Sequence, residues 1–514
     1  MIKAVGHRII EVLFMFLVFG INTLDAKNLN NKIVVKSSQD LLSNLTQKYT
    51  KFEIRCVVDL NGAAIVFPSN CELILASGRI VNGTIRGNKT KLTVRSRHSL
   101  GVLLEGSWIS PRIEDSYFFN ISDNCILSNI NNLQSKDDYN VIYLNKGEYN
   151  IDIKDNNGYA IRLLDHAKLI NNSCIQLQGN NHKGYFIVYI ADASDVEIKG
   201  GIIRGDIGKH SYIHGSTSEW GMGVGIIASS RVKIHDVLIS HCTGDGIYIG
   251  GYPTSYIGDF SQSSRNIIIK NVIADSNRRQ GMSVISVDGL LVEECSFINT
   301  GSVEATAPSD GIDIEPNVSD GRNNSIRNVI IRECVFRNNA GYDIQTDLGV
   351  TDGEICNYEN VIVEKCVADG QSLLGSPSTT IRKTKMESVV VRPFEAPVNI
   401  YFTKCKIFGR GIIVRDLHPH KQLYINKNKP ASFIKLVFDN CRIKHETSGR
   451  IDSEHLISIE CKKNIVNSIS VNNSVCILPK SSNKDQLVFN KNKNNIIFKN
   501  SKLRIGGSSQ RIYE

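Results

Sequence analysis

The chain has 514 residues, 41% of them apolar and 22% charged, with a formal net charge of +9. That length supplies a large core and allows one to three domains. Basic residues interleave with acidic ones and no nucleic-acid motif occurs, so no nucleic-acid partner is expected; the mild positive balance permits an acidic partner without demanding one.

The chain opens on an expected export signal. Lys3 and Arg8 lead into the mostly apolar run Ile9–Ile21, interrupted by Glu11, and Ala26 closes a cleavage site. The run is shorter than the ~18–20 residues a membrane span needs. No later segment is apolar enough to cross, so the mature chain is expected to have no span. Removing residues 1–26 takes away two basic and two acidic residues and leaves the charge at +9. The expected location is secreted, periplasmic or cell-surface, in a bacterium.

Residues 51–91 have a tight strand-and-turn rhythm, in Val57–Gly62, Pro68–Leu75 and Ile80–Asn88. They read as opening coils that cap the apolar end of a stack. Residues 107–190 look irregular apart from a strand and turn at Val141–Tyr149, and 27–190 forms the expected cap and first coils. The main stack should begin near Val196–Arg204. An insertion between Gly205 and Gly221 carries Asp206, His210, Tyr212, His214, Glu219 and Trp220. Insertions in repeat proteins map to one face, often the binding face. This loop should therefore overhang the strands of the next coils, with Trp220 offering a flat surface to a sugar ring. A second aromatic loop spans Gly250–Tyr256.

Four segments then align: Asp245-Gly-Ile-Tyr-Ile, Gln280-Gly-Met-Ser-Val, Asp310-Gly-Ile-Asp-Ile-Glu and Ala340-Gly-Tyr-Asp-Ile-Gln, preceded by Met222-Gly-Val-Gly-Ile. A glycine repeat of this period marks a solenoid, propeller or array. Each copy leads to a second strand: Val232–Ile239, Leu290–Phe297, Val329–Phe336 and Val361–Cys366. β-branched runs between Asn, Gly, Asp and Ser corners are strands, and the links are too short for crossover helices. What remains is an all-β solenoid in which each turn stacks on the last, a parallel β-helix. The stack should carry its functional groove over 191–350. The strands continue to the end without another Asp-Gly-Ile, so 351–514 reads as structural coils and end cap, with exposed Lys- and Asn-rich links at 421–429 and 490–495.

Thirteen cysteines in an exported chain would ordinarily suggest disulfides. Here Cys295, Cys334, Cys366, Cys405 and Cys441 recur at one place in the repeat, so a ladder of buried thiols is expected. There is no CxxC pair, and no metal site is expected.

Strand alternation gives the faces. Ile312 and Ile314 point inward, while Gly311, Asp313 and Glu315 point outward. The same phase places Tyr248, Ser283, Asp313 and Asp343 in one outward column, Glu315 and Gln345 in the next, and Asp245, Gln280 and Asp310 just before the glycines. With coils about 4.8 Å apart, carboxylates stacked this way repel, and at least one should titrate high. Asp310, Asp313, Asp343 and Asp245 are thus the candidate catalytic groups. Hydrolysis of a glycosidic bond needs one carboxylic acid and one carboxylate. Candidate substrate-binding residues are Trp220, Glu219, His210, Tyr248, Arg278, Arg279, Gln280 and Glu315. No cofactor is required for hydrolysis. A lyase or epimerase would instead abstract a proton beside a uronate carboxyl, neutralised by Arg278, Arg279 or a Ca²⁺ ion. A non-catalytic glycan-binding or adhesion solenoid is the reading from a different class; there the carboxylates only cap turns.

The segment Ser309-Asp310-Gly311-Ile312-Asp313 resembles the Asp-Gly-Ile-Asp strand of polygalacturonase-like hydrolases in the pectin-lyase-like superfamily, whose members are right-handed parallel β-helices. Gly244–Ile247 and Gln280–Ser283 resemble that family's other site strands. The resemblance spans roughly 190–410. It departs from the family in strand order, in Gln280 where histidine is expected, and in lacking the downstream Arg-x-Lys motif. It implies a right-handed β-helix and a polysaccharide partner, possibly acidic, and leaves the reaction open.

Overall fold

The computed structural model describes residue 29 and residues 31–512, apart from 154–157, 215, 253, 255–258, 317, 320–321, 347–356, 377, 392–397, 415–432, 446–454, 460–465, 480–481, 483, 491–494 and 507. The expected export segment 1–26, Tyr256, the link 421–429 and most of the link 490–495 lie outside the described residues. Contacts divide the chain into two compact units, one of 1–145 with 165–168 and one of 146–164 with 169–514.

The first unit holds a seven-stranded sheet built around the long strand Arg79–Val94, which pairs with Val57–Asp59, Ala64–Val66, Glu72–Leu75 and Leu100–Ile109. Two helices break the strand rhythm. Ser38–Asn44 is capped by Ser37, whose side chain accepts from the Asp40 amide, and Asp123–Leu133 is capped by Ser122. The second helix is stitched to a strand by buried Asn129, which accepts from Leu104 N at 2.8 Å and donates to Val102 O at 3.0 Å.

The second unit is a stack of coils, each laying one strand in each of three parallel ladders. In one coil these are Ser264–Lys270, Ile273–Asp275 and Gln280–Val284. Each pairs in parallel with its counterpart in the next coil, Val287–Glu293, Ser296–Ile298 and Asp310–Ile314. Inward residues on all three ladders are Ile, Val, Leu, Phe and Cys with almost no exposed surface. Burying each of the larger ones is worth roughly 1.5–3 kcal/mol. Like side chains stack on like: Phe297 lies on Phe336 at 5.4 Å and 13°, and Phe402 on Phe438 at 4.5 Å and 10°.

Segments expected as single second strands are two strands around a corner. Leu290–Phe297 turns at Glu294, so that Val287–Glu293 and Ser296–Ile298 lie in different ladders. The corners obey a rule. Residues i, i+5 and i+10 adopt left-handed φ in four successive coils: Arg231/Asp236/His241, Asn266/Asn271/Ser276, Gly289/Glu294/Asn299 and Asn328/Glu333/Asn338, with φ between 50° and 86°. Asn and Gly suit this conformation and Glu does not, which is why the corners at Glu294 and Glu333 read as mid-strand. The coils also begin earlier than the sequence suggests. Regular coil pairing is present before residue 190, with Glu148–Ile151 already paired to Cys174–Leu177 and Tyr159–Leu163 to Gly184–Ala191.

The thiol ladder is present. Cys295, Cys334 and Cys366 occupy successive coils, then Thr384, Cys405 and Cys441, each linked to the next coil by a backbone hydrogen bond of 2.9 Å. All five cysteines are buried and free. Each Sγ donates to carbonyls of its own and the preceding coil, as Cys295 does to Glu293 O at 3.1 Å and Ile269 O at 3.5 Å.

The repeated glycines have a steric cause. A Cβ on Gly246 would lie 2.7 Å from the Gly281 carbonyl oxygen, and one on Gly281 would overlap the Gly311 carbonyl. Gly281→Ala is expected to cost about 1–3 kcal/mol by forcing neighbouring coils apart, read as a lowered midpoint in thermal unfolding. Lys404, exposed at φ 56°, gives the opposite case: Lys404→Gly should raise stability by up to about 1 kcal/mol, whereas Lys404→Val should lower the same midpoint.

Candidate functional site

The face with the aligned glycines is one ladder whose successive strands include β1 (Tyr159–Leu163), β2 (Gly184–Ala191), β3 (Trp220–Ile227), β4 (Asp245–Gly250), β5 (Gln280–Val284), β6 (Asp310–Ile314) and β7 (Ile344–Thr346). Register fixes two columns across them. Asp245, Gln280 and Asp310 lie opposite one another at the strand starts. Three residues further on, Tyr248, Ser283, Asp313 and Gln345 do the same.

The last coil differs from expectation. Ile312 pairs with Ile344, a step of 32 residues where the preceding coil steps by 30, and an antiparallel pair, Val318–Ser319 with Arg322–Asn323, lies in the longer connection. The neighbour of Asp313 is therefore Gln345 and not Asp343. Asp343 lies opposite Gly311, and its backbone carbonyl accepts from Ile312 N at 3.0 Å. Gly341, the expected fourth glycine of the column, instead sits against Ser309 and Asp310.

The two columns interlock. Ser283 Oγ donates to Asp245 Oδ2 at 2.7 Å. Gln280 accepts from Asp310 N at 2.9 Å and donates to Asp313 Oδ2 at 2.8 Å. Gln345 donates to Asp313 Oδ1 at 3.1 Å. Arg279 Nη1 bridges both oxygens of Asp245 at 3.2 Å. Asp310 Oδ1 accepts from Tyr342 N at 2.5 Å. Asp343 accepts from Asn339 Nδ2 at 2.8 Å and Gly370 N at 2.6 Å. Asp245 is 0% and Asp313 1% exposed. Above them the Arg279 side chain is 17% exposed and its guanidinium lies 5.8 Å from the ring of Trp220, itself 53% exposed.

A raised carboxyl is present, but not through stacked carboxylates. Burial pushes Asp245 up, Arg279 and Ser283 pull it back, nearby Glu219 adds a small upward push, and the net direction is up. Burial also pushes Asp343 up against its donors Asn339 and Gly370. In the columns the aspartates alternate with Gln280, Ser283 and Gln345, which separate the charges. Burial lowers Arg279 but Asp245 and Asp313 outweigh it, and the net direction is up.

Two expected binding residues face protein instead. His210 has no exposed side-chain surface; its Nδ1 lies 2.9 Å from Asp206, which also accepts from Tyr185 and Asn180. This buried carboxylate anchors the insertion. Arg278 is a strut: it donates to the carbonyls of Glu304 at 2.7 Å, Thr217 at 2.6 Å and Thr243 at 3.3 Å, and covers the Tyr212 ring at 4.5 Å. Glu219, Tyr248 and Glu315 are half-buried around the network. Among the described residues, no group of three or more His, Cys, Asp or Glu side chains is placed to hold a metal ion.

Residues 140–319 match the family model described as a right handed beta helix region. The chain carries a right-handed parallel β-helix. Its similarity to curated sequences is partial. It is 29% identical over 221 residues to the SPbeta prophage-derived protein YorA of Bacillus subtilis, covering 40% of this chain and 38% of that protein. It is 37% identical over 139 residues to the protein YclG of Bacillus subtilis, covering 26% and 24%. The chain thus spans well under half the length of these relatives. Among solved structures, the catalytic domain of a GH87 α-1,3-glucanase in complex with nigerose is 11% identical, with a TM-score of 0.39 over 75% of this chain and 64% of that one.

Asp343 offers a test of the burial effect. Its folded carboxyl sits above the unfolded value of ~3.9, so it contributes stability in full below that value and loses it as pH rises through the raised folded value. Asp343→Asn removes this dependence. The unfolding midpoint of the variant, relative to the parent protein, should climb as pH rises above about 4 and level off once the raised carboxyl has ionised; a constant offset would show that the carboxyl is not raised.

Proposed function

We propose that this protein is exported and cleaves a polysaccharide as a glycoside hydrolase, with Asp245 as the proton donor and Asp313 as the ionised partner. The observation that carries the reading is a buried network holding two carboxylates in different surroundings. Asp245 is pushed toward its protonated form by burial. Asp313 has both oxygens facing amide donors, Gln280 Nε2 and Gln345 Nε2, which suits an acceptor that polarises water. A hydrolase needs this division between two acidic groups.

The arginines favour hydrolysis over elimination. A lyase or epimerase needs a positive group free to neutralise a uronate carboxyl. Arg279 is engaged by Asp245, and Arg278 by three backbone carbonyls. Trp220, exposed beside Arg279, suits a sugar ring stacked above the network. The strands carrying Asp245 and Asp313 are two coils apart, about 10 Å.

The mature chain should release reducing ends from at least one member of a panel of acidic and neutral polysaccharides, without the ultraviolet absorbance of an unsaturated uronate. Asp313→Asn and Asp245→Asn should each lower kcat by at least about 100-fold, measured at a temperature where thermal unfolding shows each variant still folded. Unsaturated products would move the assignment to a lyase. Retained binding without cleavage would move it to an adhesin.

A further inference from the structure

The Asp313 column continues past the polar network, toward the start of the chain. From Tyr248 on β4 it runs to Gly225 on β3, Tyr189 on β2 and Arg162 on β1. The Asp245 column runs in parallel to Met222, Phe186 and Tyr159. The two columns therefore change character along one face, from carboxylates and amides to aromatic rings.

These rings form a built surface. Phe186 and Tyr189 stack with centroids 4.7 Å apart and planes at 28°, and Tyr189 and Tyr159 stack at 5.6 Å and 21°. All three are half-buried, each with one part in contact and one part open to solvent. Gly225 makes the arrangement possible, because a Cβ there would overlap the Phe186 ring. Tyr252 stands at the same end, 36% exposed and tied to Asp192 at 2.8 Å through its hydroxyl. A row needed only for stability would turn its rings into the core, as Phe297 and Phe336 do.

We infer that Tyr159, Phe186 and Tyr189 form a remote sugar-binding platform that holds the same polysaccharide chain cleaved at the Asp245–Asp313 network. This inference rests on the hydrolase reading for its substrate and on register alone for its direction. The platform and the network share outward columns, so a chain lying along the coil axis crosses both. From β1 to β6 is five coil spacings, about 24 Å, long enough for several sugar units. Flat rings present their faces to the apolar faces of pyranose rings, and Arg162 beside Tyr189 adds a positive charge suited to a uronate. The protein would thus be an endo-acting enzyme that favours long chains over short oligosaccharides.

The test separates binding from cleavage. In the Asp313→Asn background, retention on gels containing polygalacturonate, alginate or xylan is compared with and without Tyr189→Ala. The platform predicts about a tenfold loss of affinity for the retained polymer, equivalent to about 1.4 kcal/mol. Tyr189→Trp should restore it, and Gly225→Ala, which displaces Phe186, should reproduce the loss. In the active protein, Tyr189→Ala should raise KM on the long polymer several-fold and leave kcat/KM on its short oligosaccharides unchanged. Equal losses on long and short substrates, or polymer retention indifferent to Tyr189, would overturn the inference. Retention that depends on Tyr189 in a protein without cleavage activity would leave the platform standing and remove the hydrolase.

Discussion

In-register stacking of coils is the constraint on which everything else depends. Once each strand must pair with its counterpart about 4.8 Å away, a residue's neighbours are fixed by its place in the coil and not by its place in the chain. This turns a linear sequence into columns: Val272, Cys295, Cys334 and Cys366 along one inward line, Tyr189, Gly225, Tyr248, Ser283, Asp313 and Gln345 along an outward one. A column can be apolar, aromatic or charged, and it can change along its length without disturbing the backbone. The same rule explains the surface ladder in which Glu293 bridges Lys270 of one neighbouring coil and Arg332 of the other.

Such a fold is legible where its rule is periodic and obscure where the rule is interrupted. The glycine column could be read because no other residue fits under the next coil's carbonyl. The thiol ladder could be read because a small apolar side chain recurs at one corner. Three features escaped. The corners at Glu294 and Glu333 carry a residue with no preference for left-handed φ, so propensity reads through them as continuous strand; the five-residue spacing from Gly289 to Glu294 to Asn299 was the available signal. The two-residue slip at Asp343 escaped because Ala340-Gly-Tyr-Asp imitates the repeat so closely. Only the longer connection before it, with its added antiparallel pair, shows that the true neighbour of Asp313 is Gln345. The helix Asp123–Leu133 was missed for a different reason: it belongs to the first unit, where no repeat governs the chain.

At the site, sequence identified the residue types but not their connections. Asp245, Gln280 and Asp310 could be aligned from the glycine repeat, and Asp313 assigned outward from alternation. That Gln280 joins the backbone of Asp310 to the side chain of Asp313, and that Ser283 reaches back one coil to Asp245, depends on side-chain reach across coils, which alternation does not encode. The placements of His210 and Arg278 have the same origin. Each is spent on holding loops: His210 through Asp206, Arg278 through three carbonyls.

Charge decides what the network can do. Three buried carboxyls, those of Asp245, Asp310 and Asp313, are gathered on the face that Arg279 covers. Full ionisation of all three would crowd negative charge into a region of low dielectric, where burying an ion costs several kcal/mol. The interposed amides and hydroxyl lessen that cost by donating hydrogen bonds, but they bring no charge. Asp245 has no exposed surface, and its carboxyl is shifted upward by burial against the pull of Arg279 and Ser283. A fold needing only turn caps would place such groups at exposed corners, where water solvates them without strain. Here they are drawn under Arg279 and Trp220, on the face whose columns lead directly to the aromatic platform.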